Sequence, residues 1–144
     1  MNPKDCIAKA QITIDAPAAE VWDALVTPAK IKQYMFGSDV KSDFKPNSKI
    51  SFTGEWQGKP FKEKGYVLDV EKDRLLRYNT FNSQSDKLDI AENYHTITIE
   101  LTDADGRTNV SLSQDNNESE EMRIHSQKNW EMVLEKLKNV VEKK

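Results

Sequence analysis

Ser119–Lys144, SEEMRIHSQKNWEMVLEKLKNVVEKK, is the stretch whose reading decides the fold. At helical spacing Met122, Trp130, Val133, Leu134, Leu137, Val140 and Val141 fall on one side, and Glu131, Glu135, Lys136, Lys138 and Glu142 fall on the other. This spacing predicts one long amphipathic helix. Each apolar side chain contributes about 1.5–3 kcal/mol gross once buried, so the stripe needs a partner surface. What precedes it reads mostly as short alternating strands, and the inner face of a sheet is the surface on offer.

Working back through the chain, the strongest strand signal sets His95, Ile97, Ile99 and Leu101 against Tyr94, Thr96, Thr98 and Glu100. Asp103-Ala104-Asp105-Gly106 supplies the hairpin, and Thr108, Val110, Leu112 and Gln114 return inside. Upstream, Ile50, Phe52, Gly54 and Trp56 alternate with Lys49, Ser51, Thr53 and Glu55, after Val40, Ser42 and Phe44. Gln57-Gly58 is the expected turn into a strand whose inner side is read as Tyr66, Leu68 and Val70, although Val67 interrupts the polar side. Leu76, Tyr78 and Thr80 form the preferred inner face of the next strand, and the polar 82–93 segment is a loop. At the start, Ala8, Ala10, Ile12 and Ile14 define the first strand. Pro17 then opens a short helix and Thr27-Pro28 a second, with the Thr27 hydroxyl as its cap and Gly37 as its end. Ser119 or Asn117 would cap the last helix.

The 144 residues fit one domain, 1–144, with a core that needs no staples. Acidic and basic residues are interspersed at a net charge of −3, which gives no support to a nucleic-acid surface. A single cysteine, Cys6, rules out an intrachain disulfide. The first residues lack a signal peptide's apolar run and no window approaches a membrane span, so a cytoplasmic protein without membrane partner is expected. Strand, two short helices, about six antiparallel strands and a long C-terminal helix make an α+β fold, a curved antiparallel sheet closed by that helix.

The stretch IDAPAAEVWDAL at 14–25, with Thr27-Pro28 and Gly37, resembles the opening of START-like (SRPBCC) proteins. Gly65 to Val70 with Arg74-Leu75, the strand from His95 to Leu101, and Asn129-Trp130 through Leu137 resemble the activator of heat-shock-protein-90 ATPase homologue-like family. The resemblance implies a helix-grip fold, its sheet clasping the last helix over a hydrophobic cavity. It also suggests a chaperone as partner, and related START-like proteins include cyclases and aromatases. Asn129 stands where family members often have glycine, which would put a polar side chain in that cavity.

Candidate ligand-lining residues are Phe44, Phe52, Trp56, Tyr66, Tyr78, His95, Met122, His125, Asn129 and Trp130. Aromatic rings supply contact area, while hydroxyl, imidazole and amide groups orient a ligand. Core packing is the competing role for the aromatics, and an exposed helix position is the competing role for His125. Two histidines and one cysteine make no zinc site, and Gly-x-Ser-x-Gly and Gly-rich phosphate loops are missing from the sequence. Neither a metal nor a cofactor is expected. The leading expectation is non-catalytic binding of a small apolar or aromatic molecule between the inner sheet face and the C-terminal helix, with any opening of the clasp expected along Met122 to Trp130. A co-chaperone-like module and a cyclase-type enzyme are the alternatives.

Overall fold

The computed structural model describes residues 6–56, 58–83 and 85–143. The expected helix is α3, Glu120–Glu142, and Ser119 is its cap, with Oγ accepting from the Met122 N–H at 3.2 Å. Asn117, the other expected cap, is buried instead and donates to the carbonyls of Cys6 and Gln114. Ahead of α3 lie β1 (Ala8–Ile14), α1 (Ala18–Val26), α2 (Pro28–Tyr34), β2 (Asp39–Ser42), β3 (Lys49–Trp56), β4 (Lys59–Glu71), β5 (Leu75–Asn82), β6 (His95–Ala104) and β7 (Arg107–Gln114). The strands form one sheet of order β1-β7-β6-β5-β4-β3-β2, antiparallel at every pairing. This is the α+β helix-grip arrangement. No helix among the described residues is long and apolar enough to cross a membrane.

Local chemistry accounts for most of the joints. Asp105 and Gly106 both take positive φ, 56° and 88°, which is the two-residue turn whose twist suits a hairpin. Pro28 occupies the first turn of α2 as expected, but the Thr27 hydroxyl makes no cap and donates to the Asp23 carboxylate at 3.2 Å. Past α2 the chain turns through two left-handed residues, Phe36 at φ 54° and Gly37 at φ 75°. For phenylalanine that conformation costs about 1–2 kcal/mol.

One strand departs from its expected periodicity. In β4 Val67 is fully buried and Tyr66 is 45% exposed, the reverse of the predicted faces. The pairing with β5 gives the reason: Val67 sits opposite Tyr78, but Asp69 sits opposite Arg77, so one extra residue is inserted at Leu68. A bulge of this kind turns both Val67 and Val70 inward, three residues apart, and an alternation extended back from Val70 then lands on the wrong face. Just before it, Gly65 lies so close to β5 that a Cβ there would stand 1.8 Å from the Asn79 carbonyl oxygen.

The core lies between the inner sheet face and the helices. Ile50, Phe52, Val67, Leu76, Tyr78, Ile97, Ile99, Leu101, Val110 and Leu112 come from the sheet, and Val133, Leu134 and Leu137 from α3. Helix α3 packs mainly on β1, α1 and α2, toward one end of the sheet. The inner faces of β3 and β4 lie toward the other end.

Candidate functional site

That offset leaves two spaces of different kind. Beneath the C-terminal half of α3 the enclosed space is only about 30 Å³, lined by residues such as Phe44, Phe52, Tyr78, Leu134 and Leu137. It has room for about one water and its walls are apolar, so it is core rather than a binding cavity. Beneath the N-terminal half an open cleft of about 530 Å³ runs between α3 and β3–β4. Its helix side is His125, Ser126, Asn129, Trp130 and Val133; its sheet side is Phe52, Phe61, Glu63, Asn82 and Gln114; Met35, Phe36 and Ser38 close one end.

The walls are held in place individually. A Cβ on Gly54 would meet the Phe61 ring at 2.9 Å, so the missing side chain is what lets this ring lie across β3. Trp130 Nε1 donates to Gln114 Oε1 at 2.6 Å, tying helix to β7 at the cleft floor. Ser126 Oγ donates to Asn117 Oδ1 at 2.9 Å, and Ser38 Oγ to the Met35 carbonyl at 2.5 Å. Both cleft hydroxyls are thus committed to structure. The Lys136 ammonium lies 5.5 Å from the centroid of the Phe36 ring, at the outer lip.

Glu63 carries the site's electrostatics. It points inward from β4 beside these rings, and among the described residues no hydrogen-bond donor reaches its carboxylate and no lysine or arginine joins it in the lining. Burial raises its pKa above the ordinary glutamate value, opposed by the nearby charge of His95. The same carboxylate, after burial itself, helps push the Tyr78 phenol upward. His95 is half-buried, and its Nδ1 lies 3.0 Å from the Asp115 carbonyl oxygen, which fixes the ring.

Of the residues expected to line a site, Phe52, His125, Asn129 and Trp130 come together in the cleft. Phe44 and Tyr78 line the enclosed space, and His95 lies beside Glu63. Two expected positions are corrected. Tyr66 is on the opposite face of the sheet because of the bulge. Met122 is 45% exposed and does not line the cleft, although at helical spacing it points in nearly the same direction as Val133. The side chain of Trp56 and residue Gln57 lie outside the described residues. Sequence reasoning missed Glu63, Phe61 and Gln114. The available signal for the first two was parity, since both share the inner phase of β4 with Val67.

The outer face of the sheet is different in character. Lys41, Lys49, Lys62 and Lys64 line a shallow depression across β2, β3 and β4, together with Tyr66 and Tyr94. Lys64 pairs with Asp89, whose carboxyl is lowered first by that hydrogen bond and then by one from the Tyr94 hydroxyl.

A curved antiparallel sheet gripping a C-terminal helix, with an opening beneath the helix, defines a START-like protein of the SRPBCC type. Residues 15–142 match the family described as Activator of Hsp90 ATPase homolog 1-like protein, and the chain belongs to it. No curated protein matches the sequence. Among solved structures, ChR145 from Cytophaga hutchinsonii is 45% identical with a TM-score of 0.82, over 94% of this chain and 93% of that one. The Aha1 dimer from Colwellia psychrerythraea aligns over 95% of this chain and 96% of its own at 17% identity and a TM-score of 0.73. DynU16, from the dynemicin biosynthetic locus, aligns over 96% of this chain and 48% of its own at 14% identity and a TM-score of 0.80. These last two share the fold.

Proposed function

We propose that this protein binds, without transforming it, a small molecule with an apolar or aromatic body, held in the cleft between β3–β4 and the N-terminal half of α3. The observation that carries this reading is the contrast between a filled interior and an open cleft walled by Phe36, Phe52, Phe61 and Trp130. Concave, mostly apolar surfaces with a few polar groups are where small ligands bind. Binding rather than turnover is favoured because the Ser38 and Ser126 hydroxyls already donate within the protein and neither is held by a base. The test is a two-dimensional NMR titration with naphthol, in which shifts concentrate on Phe61, Glu63, His125, Asn129 and Trp130. Shifts confined to the outer sheet face would sink the reading.

A second reading, docking onto a partner protein such as a chaperone, is favoured by the lysines of the outer face. Their charge fits an acidic polypeptide segment, and such contacts weaken with salt. Here the check is binding of a poly-glutamate peptide: charge reversal at Lys41, Lys49 and Lys62 should abolish it, and equal binding by that variant would count against the docking face.

A further inference from the structure

We infer that the cleft selects organic cations, a molecule with an ammonium group and an apolar body, with Glu63 receiving the charge and the rings of Phe36, Phe52, Phe61 and Trp130 receiving the rest. The inference rests on the cleft being a binding site and adds the class of ligand. Its basis is an unmatched group. Glu63 points into the cleft, is partly walled off from water, and has no hydrogen-bond donor among the described residues. A carboxylate removed from water without a partner costs free energy, and a ligand that brings the opposite charge recovers it through a charge-assisted hydrogen bond. The neighbouring π faces attract the same sign of charge, as Lys136 over Phe36 already shows at the lip. An anionic ligand would meet repulsion from both.

Binding would also depend on pH. The groups facing Glu63 are His95 from β6, Tyr78 from β5 and His125 from α3. Burial raises the Glu63 pKa, and a cation requires the ionised form, so affinity should rise with pH as Glu63 ionises. The variant E63Q isolates the contribution of Glu63.

Three probes of similar size test this: phenethylamine, phenethyl alcohol and hydrocinnamate, measured by calorimetry and NMR titration on the full chain. The native protein should bind the amine about tenfold tighter than the alcohol or the acid. In E63Q that preference should fall to within about twofold, through loss of the amine's affinity. If the alcohol binds as tightly as the amine, with shifts still in the cleft, the cation inference is wrong and the cleft reading stands. If hydrocinnamate binds tightest, Glu63 acts as a protonated donor and the inference is again wrong. If no probe shifts the cleft residues, both readings fall together.

Discussion

The two halves of α3 meet the sheet on different terms. Val133, Leu134 and Leu137 are each under 5% exposed and leave almost no space beneath them. One to three turns earlier, His125, Ser126 and Asn129 overlook a cleft large enough for a small molecule. The apolar half spends its side chains on stability, while the polar half leaves a cleft open over Phe61 and Glu63 of β4. Thus a single helix can close a core at one end and roof a site at the other, simply by exchanging its inward residues.

The sharpest way to break this contrast is to cut into each half. Leu137→Ala should lose about 2–5 kcal/mol in denaturant unfolding, because its surroundings cannot collapse into the gap; a loss below about 1 kcal/mol would mean the C-terminal half is not the closed end. Trp130→Phe keeps a ring but removes the bond to Gln114, and should cost about 1 kcal/mol. Glu63→Gln should run the other way. Burial raises the Glu63 pKa in the folded protein, so the stability this group contributes is full at acid pH and is lost as pH rises through the folded value. The variant escapes that loss and should be about 0.5–1 kcal/mol more stable at neutral pH. Thermal unfolding across pH should show the difference closing on acidification. Smallest of all, the double variant His125→Ala with Asn129→Ala should stay within about 0.5 kcal/mol per site of the native protein, even if the cleft's ligand preferences change.

How much of this could be read from the sequence depends on whether a pattern was local. The α3 stripe from Trp130 to Val141, the β6–β7 hairpin and the inner faces of β5 and β7 follow from strict periodicity and turn chemistry, and each is where the spacing places it. Tyr66 was misplaced because a bulge is a property of two paired strands rather than of one. Met122 was misplaced because a helical stripe gives direction but not whether anything lies above it. The cleft was half legible: His125, Asn129 and Trp130 break the apolar stripe visibly. Glu63 looked like one more charge in the run from Lys59 to Lys64, and only the β4 register turns it inward.

The pairing of β1 with β7 carries a consequence for how the molecule comes into being. Ala8 is opposite Gln114, and α3 then packs on β1. The first strand made therefore waits for the last, and such distant contacts slow folding because loop closure precedes any reward. A nascent chain on the ribosome can assemble β2 to β6 early, but their inner face stays bare until α3 has emerged. The cleft and the core beneath the same helix are accordingly finished in one late step, and any loss of the last turns should leave a chain prone to associate before it folds.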